Sequence, residues 1–259
     1  PPTVASRNRG WVIAISSLFV LGMILVGAIL AWVFNKKAET TEGEKGPLVF
    51  RVNRLGTDDA SLSINAALSK IRARGRQPAR IVVQDDLAES DVVVDMPNIR
   101  IEAEAGKPIR WKPSSKPGST KLLQVYKADG FLLKGFTLDG DDRVEILINL
   151  YHHCPGVRLE DLKLQKFKKY GIWVTNCEGG GNPDRYVQLD RLEFVTSQKA
   201  QTALFFSIEP FAQDAIPKNK FFSIRDCKFE GPGAKVKTPD PNTLDHVEFP
   251  PGVTAEQGR

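Results

Sequence analysis

The chain has 259 residues, enough for one medium domain and an anchor, with a formal charge of +5. Residues 1–37 hold Arg7, Arg9, Lys36 and Lys37 and no acid; taking those four from 36 basic residues leaves 32 against 31 acidic ones, so the remainder is nearly neutral. That balance argues against a nucleic-acid partner, which needs a concentrated basic stripe.

The first segment, residues 1–10, reads as a linker, and the absence of an initial Met leads us to expect a piece of a longer protein. Residues 11–34 follow as WVIAISSLFVLGMILVGAILAWVF, 24 residues without a charge. At about 1.5 Å per residue a helix of that length exceeds the roughly 30 Å hydrocarbon layer of a bilayer. Trp11 and Trp32 stand near its ends, where amphipathic rings favour the interface, and Arg7, Arg9, Lys36 and Lys37 fence it on both sides. The run is too long for a signal peptide and lacks a small-residue cleavage site. A transmembrane helix is therefore expected, with the lipid bilayer as a partner. The flanking charges do not select a side.

Residues 35–47 are polar and read as a second linker. Leu48–Val52 is a short apolar strand. Next comes one amphipathic helix: Ile64, Ala67, Leu68 and Ile71 recur at helical spacing. Asp58 or Asp59 is the expected N-cap, Lys70, Arg72 and Arg74 suit the negative end of the dipole, and Gly75 is the expected stop. Arg72, Arg74 and Arg76 read as a solvated helix end in preference to a phosphate site. From Ile81 onward the signals are short β-branched runs bounded by Gly, Pro, Asn or Asp, among them residues 81–83, 92–94, 99–101 and 122–125.

An internal repeat decides the architecture. GFLLKGFTLDG begins at Gly130, GVRLEDLKLQKF at Gly156, YVQLDRLEFVT at Tyr186 and FFSIRDCKFEG at Phe221, with starts 26, 30 and 35 residues apart. Three apolar columns align: Leu133, Leu159, Leu189, Ile224; then Phe136, Leu162, Leu192, Cys227; then Leu138, Leu164, Phe194, Phe229. Their offsets of zero, three and five combine the alternation of a strand with one extra residue, as at a bend. One coil cannot bury such residues alone, but stacked coils share a core. Cys227 falls in the second column; all three cysteines, Cys154, Cys177 and Cys227, read as buried thiols, the alternative being one disulfide and one free thiol.

Residues 131–140 (FLLKGFTLDG), 154–162 (CPGVRLEDL) and 170–174 (YGIWV) resemble the right-handed parallel β-helix of the pectate-lyase-like family. The resemblance covers residues 48–249, makes the opening helix a cap, and leaves 250–259 as a flexible tail. The expected fold is all-β: a right-handed parallel β-helix with an N-terminal capping helix, preceded by one transmembrane α-helix. A sandwich or propeller fits less well, for want of two-residue hairpin turns and four-strand repeats.

That family implies polysaccharide chemistry. Asp139, Asp141 and Asp142 are the candidate acid–base or Ca²⁺-binding carboxylates, set against the plainer reading of a solvated turn. The chain lacks the Asn-Thr-Asp, Gly-His-Gly and Arg-Ile-Lys motifs of polygalacturonases and the Arg-x-Pro-x-x-Arg signature of pectate lyases. Adjacent His152 and His153 should face opposite ways and read as surface or loop residues, and His246 lies in a Pro-rich tail. No cofactor motif is present; residues 178–182 form a Gly-rich loop without a phosphate-loop Lys. The order of linker, span, polar linker and β-domain resembles the C-terminal part of bacterial transmembrane serine/threonine kinases, whose kinase domain precedes the span; this chain itself carries no kinase motif. The expected function is an extracytoplasmic, membrane-anchored module that binds or senses a polysaccharide or other cell-envelope ligand. The alternatives are an anchored lyase, hydrolase or epimerase, and a structural spacer or adhesion domain.

Overall fold

The computed structural model describes residues 47–56, 60–209 and 218–258. Among them no helix is long and apolar enough to cross a membrane. The expected span at residues 11–34, its flanks and both linkers before residue 47 lie outside the described residues, as do Asp58 and Asp59.

The strands come in threes. β1 (Leu48–Val52) and β2 (Ala60–Ser61) lead into α1 (Ile64–Ala73). Then follow β3 (Ala79–Val83), β4 (Leu87–Ala88) and β5 (Val92–Val94); β6 (Ile99–Ala103), β7 (Ile109–Lys112) and β8 (Lys121–Tyr126); β9 (Leu132–Lys134), β10 (Phe136–Asp139) and β11 (Ile146–His153). The pattern continues with β12 (Arg158–Glu160), β13 (Lys163–Gln165) and β14 (Tyr170–Glu178); β15 (Val187–Asp190), β16 (Glu193–Val195) and β17 (Thr202–Ser207); β18 (Asn219–Arg225), β19 (Lys228–Glu230) and β20 (Val236–Thr238). β21 (Leu244–Glu248) and β22 (Ala255–Gln257) end the series. Each strand of a triplet pairs in parallel with its counterpart in the next, giving three ladders. The first and third merge into one 16-stranded sheet where β14 meets β18 at Glu178 and Lys220, while the second is a separate 6-stranded sheet. This all-β, parallel arrangement with one α-helix among the described residues is compatible with a parallel β-helix.

The register shows why the sequence repeats. In the first ladder Phe50, Ile81, Ile101, Leu133, Leu159, Leu189 and Ile224 lie over one another, all buried. The second ladder stacks Leu87, Trp111, Leu138, Leu164, Phe194 and Phe229, with Phe194 and Phe229 face to face at 5.1 Å. Each buried side chain of this size contributes roughly 1.5–3 kcal/mol relative to exposure. Between the first two columns one residue per coil takes a left-handed conformation: Gly135 (φ 85°), Asp161 (53°), Arg191 (53°) and Asp226 (50°). This is the extra residue of the repeat. In the first three of these the N–H still pairs along the stack, Gly135 to Glu160 O at 3.2 Å, Asp161 to Asp190 O at 3.1 Å and Arg191 to Arg225 O at 3.0 Å, so those bends leave no orphaned donor.

Helix α1 buries the expected stripe of Ile64, Ala67, Leu68 and Ile71. Its N-cap is Ser63, whose Oγ accepts from Ala66 N at 3.0 Å. Arg72 and Arg76 pair with Asp95 at 2.8 and 3.5 Å, matching a helix end. The first turn has a second, remote partner: the Glu89 carboxylate accepts from Ile64 N and Asn65 N, both at 2.9 Å. The expected tail at 250–259 contains β22, which pairs with β20 and extends the third ladder.

Two stability effects are expected. Leu159→Ala, in the middle of the first ladder, should lower unfolding free energy by about 2–5 kcal/mol in chemical denaturation. At Glu89, burial pushes the carboxyl above its ordinary range despite the two N–H groups that favour its charged form. A raised folded-state value means that the native protein holds this proton more tightly, so its contribution is full below the ordinary Glu range and falls as pH rises through the raised value. Denaturation midpoints across pH should show this decline in the wild type and lose it in Glu89→Gln; an unchanged slope in the variant would contradict the assignment.

Candidate functional site: a cation-lined groove on the second ladder

Alternation along the strands positions the site. In β7, Ile109 and Trp111 point inward and are buried, so Arg110 and Lys112 must point outward. Trp111 is fixed further by its Nε1, which donates to Glu89 O at 2.9 Å. Beside this outer face lies a groove of about 750 Å³ whose walls include Asn53, Arg54, Asp85, Asp86, Arg110, Lys112 and Arg143. Side-chain oxygens hold its backbone in place. Asn53 Oδ1 accepts from Leu55 N and Gly56 N, Asp85 Oδ2 from Arg54 N at 3.1 Å, and Asp86 Oδ1 from Arg110 N at 2.8 Å.

The three expected carboxylates stand behind these cations. Asp139 is wholly buried; its oxygens accept from Asp141 N at 3.0 Å and Gln165 Nε2 at 3.1 Å, with Lys166 Nζ at 3.7 Å and Arg110 Nε at 4.0 Å. Asp141 lies between Arg143 Nε at 3.1 Å and Lys112 Nζ at 3.9 Å. Asp142 is exposed and donates its backbone N–H to Lys166 O at 2.8 Å. Asp141 and Asp142 both have positive φ, as turn residues do. Among the described residues no three His, Cys, Asp or Glu side chains are grouped so as to hold a metal ion. Asp139 and Asp141 orient cations whose heads stay half-exposed: Arg110 at 48%, Lys112 at 39% and Arg143 at 47%. Arg143 is also held by donation to Pro113 O at 2.9 Å. The Arg54 guanidinium makes no ion pair among the described residues.

The histidines separate as expected. His153 is exposed with Nδ1 3.2 Å from Glu178 Oε1. His152 is buried, and not in a surface loop: at φ 65° it packs edge-on against Tyr151 at 4.1 Å and Tyr126 at 5.4 Å. His246 lies in β21 beside Phe221 and Asp245. None of the three lines the groove.

Arg54, Arg110, Lys112 and Arg143 are absent from the sequence expectation. The signal for two of them was present in Ile109-Arg110-Trp111-Lys112, a short alternating run after Gly106 and Pro108. Arg54 and Arg143 sit in turns on other coils, and only stacking brings them alongside. No family model, no curated protein and no solved structure matches this chain.

The turn after β10 has no space for a side chain. A Cβ on Gly140 would come 2.5 Å from Lys166 O in the next coil. Gly140→Ala should destabilise the fold by about 1–3 kcal/mol through this overpacking. It should also release Asp141 and with it Lys112 and Arg143; amide exchange at residues 139–143, measured by mass spectrometry, should accelerate more than exchange at β15.

Proposed function

We propose that this domain is the extracytoplasmic ligand-binding module of a membrane-tethered protein, a right-handed parallel β-helix of the pectate-lyase-like kind, and that its ligand is an acidic polysaccharide. The observation that carries this reading is the groove itself, with four cationic side chains on walls drawn from several coils. Arg forks pair bidentately with carboxylates, and such charge-assisted bonds are stronger than neutral ones. Asp85 and Asp86 add acceptors for sugar hydroxyls. The polymer would be held through repeated acidic groups, three of the four cations being already positioned by a neighbouring carboxylate. Asp139, which an acid–base mechanism would need exposed, is instead engaged on both oxygens beneath the wall. That favours binding or sensing over turnover. Anchoring by residues 11–34 would hold the module at the cell envelope, and the kinase-like layout would make it the sensing end of a transmembrane serine/threonine kinase.

Calorimetry with polygalacturonate, with neutral dextran as the control, tests the reading. Polygalacturonate should bind and dextran should not, and binding should weaken as salt screens the cations. The double variant Arg110→Ala, Lys112→Ala should lose about tenfold or more in affinity, the scale of one lost charge-assisted hydrogen bond. Equal binding of dextran, or an unaffected double variant, would remove the proposal. Release of reducing ends or unsaturated products would replace it with an anchored hydrolase or lyase.

A further inference from the structure

The charges of the groove are ordered along the stack. β1, β3, β6 and β9 pair in succession in the first ladder, so the segments that follow them lie on successive levels. Neighbouring strands are about 4.8 Å apart, which sets the height of a level. Arg54 follows β1, Asp85 and Asp86 follow β3, Arg110 and Lys112 stand in β7, and Arg143 follows β10. Backbone donors tie the lower levels together: Arg54 N donates to Asp85 Oδ2 at 3.1 Å and Arg110 N to Asp86 Oδ1 at 2.8 Å. The Arg143 side chain is drawn back toward β7, because its guanidinium donates to Pro113 O at 2.9 Å. Three cations therefore gather at the level of β7, and Arg54 stands two levels away, roughly 10 Å along the stack. Two carboxylates lie between them. Asp85 is part-buried and Asp86 exposed, and neither makes an ion pair among the described residues.

We infer that the ligand of this groove is a glycan in which acidic and uncharged residues alternate, an inference that rests on the acidic-polysaccharide reading above. The walls come from several levels, so a chain in the groove runs along the stack and meets the levels in turn. A pyranose residue advances such a chain by close to the height of one level. Carboxylates on alternate residues then meet Arg54 and the cations around β7, where charge-assisted bonds hold them. The uncharged residue between them meets Asp85 and Asp86. Its hydroxyls donate to Asp85 Oδ1 and Asp86 Oδ2, the two oxygens that accept nothing from the described residues. A carboxylate on every residue would instead place one against this acidic pair, where like charges repel. A homopolymer of uronic acid still binds through the same cations, but against that repulsion. Selectivity thus comes from what Asp85 and Asp86 disfavour as well as from what the cations attract.

The experiment is calorimetric titration of the 259-residue chain with two hexasaccharides, hyaluronate (glucuronate alternating with N-acetylglucosamine) and galacturonate. Hyaluronate hexasaccharide should bind about fivefold or more tightly, although it carries half as many carboxylates. The double variant Asp85→Asn, Asp86→Asn retains a side-chain oxygen to accept from Arg54 N and Arg110 N but removes both charges. It should raise the affinity for hexagalacturonate about tenfold and leave that for hyaluronate within about twofold, which abolishes the preference. Should the double variant not fold, Asp86→Asn, at the more exposed of the two positions, is measured in its place and should narrow the same ratio. Hexagalacturonate binding at least as tightly as hyaluronate in the wild type, or unchanged in the Asn variant, would overturn the inference and leave the cationic groove as a binding site for acidic glycans. Failure of both hexasaccharides and of polygalacturonate to bind would instead remove the reading on which it rests.

Discussion

The structure depends on inward side chains of successive coils lying directly over one another. A coil here is only a few strands of two to nine residues, too short to enclose apolar residues by itself. Parallel pairing in register places Leu133 over Leu159 and Leu189 over both, so each coil completes the burial of the next. Register is therefore tightly specified. A one-residue slip would turn Leu159 outward and bring Arg158 and Glu160 in, exposing apolar surface and burying two charges at once.

The outer surface follows from this interior constraint. Once Ile109 and Trp111 are committed to the core, Arg110 and Lys112 have no other direction to take. The left-handed residue at each bend acts similarly. It turns the chain between the first and second ladders and puts Asp161 where Arg191 of the next coil reaches it, with Nε 2.6 Å from Oδ1, while Lys134 approaches from the coil before at 3.4 Å. Arg191 holds the Asp161 carboxyl below the ordinary Asp range. The group is part-exposed, so this contact adds little to stability. Its effect is to order opposite charges along the stack, so that neighbouring coils do not repel.

Periodic features were the ones readable in the sequence. The columns of Leu133 and Leu138 were visible because the core demands the same residue type in every coil, and the helix stripe because burial imposes its spacing. Features defined by a partner outside the repeat were not. Ser63 caps α1 where Asp58 or Asp59 was the expected cap, and Glu89, 25 residues from Ile64, completes the cap from another coil. β7 escaped notice because Arg110 and Lys112 dilute its apolar signal, and β22 because Pro250, Pro251 and Gly252 suggested a tail. The carboxylates at 139–142 were identifiable as a cluster, but their roles were not. Whether an Asp faces solvent or a neighbour's Gln165 depends on how two coils meet, and no local pattern encodes that.

The groove also lies at the end of the stack that α1 covers. Its walls draw on the turn after β1, the segment between β3 and β4, and the outward face of β7. Glu89 joins these parts: its side chain holds the first turn of α1, and its carbonyl accepts from the Trp111 indole between the two groove cations. The contacts that close the core at this end therefore also fix where Arg110 and Lys112 emerge. Cations placed by a rigid strand and braced by Asp139 and Asp141 lose less freedom on meeting a charged ligand than free surface side chains would. The acids lower the field that the groove presents but increase its order. Under the proposed function such a groove would gain selectivity for the spacing of anionic groups along a polymer, where a surface of unpaired lysines would respond only to total charge.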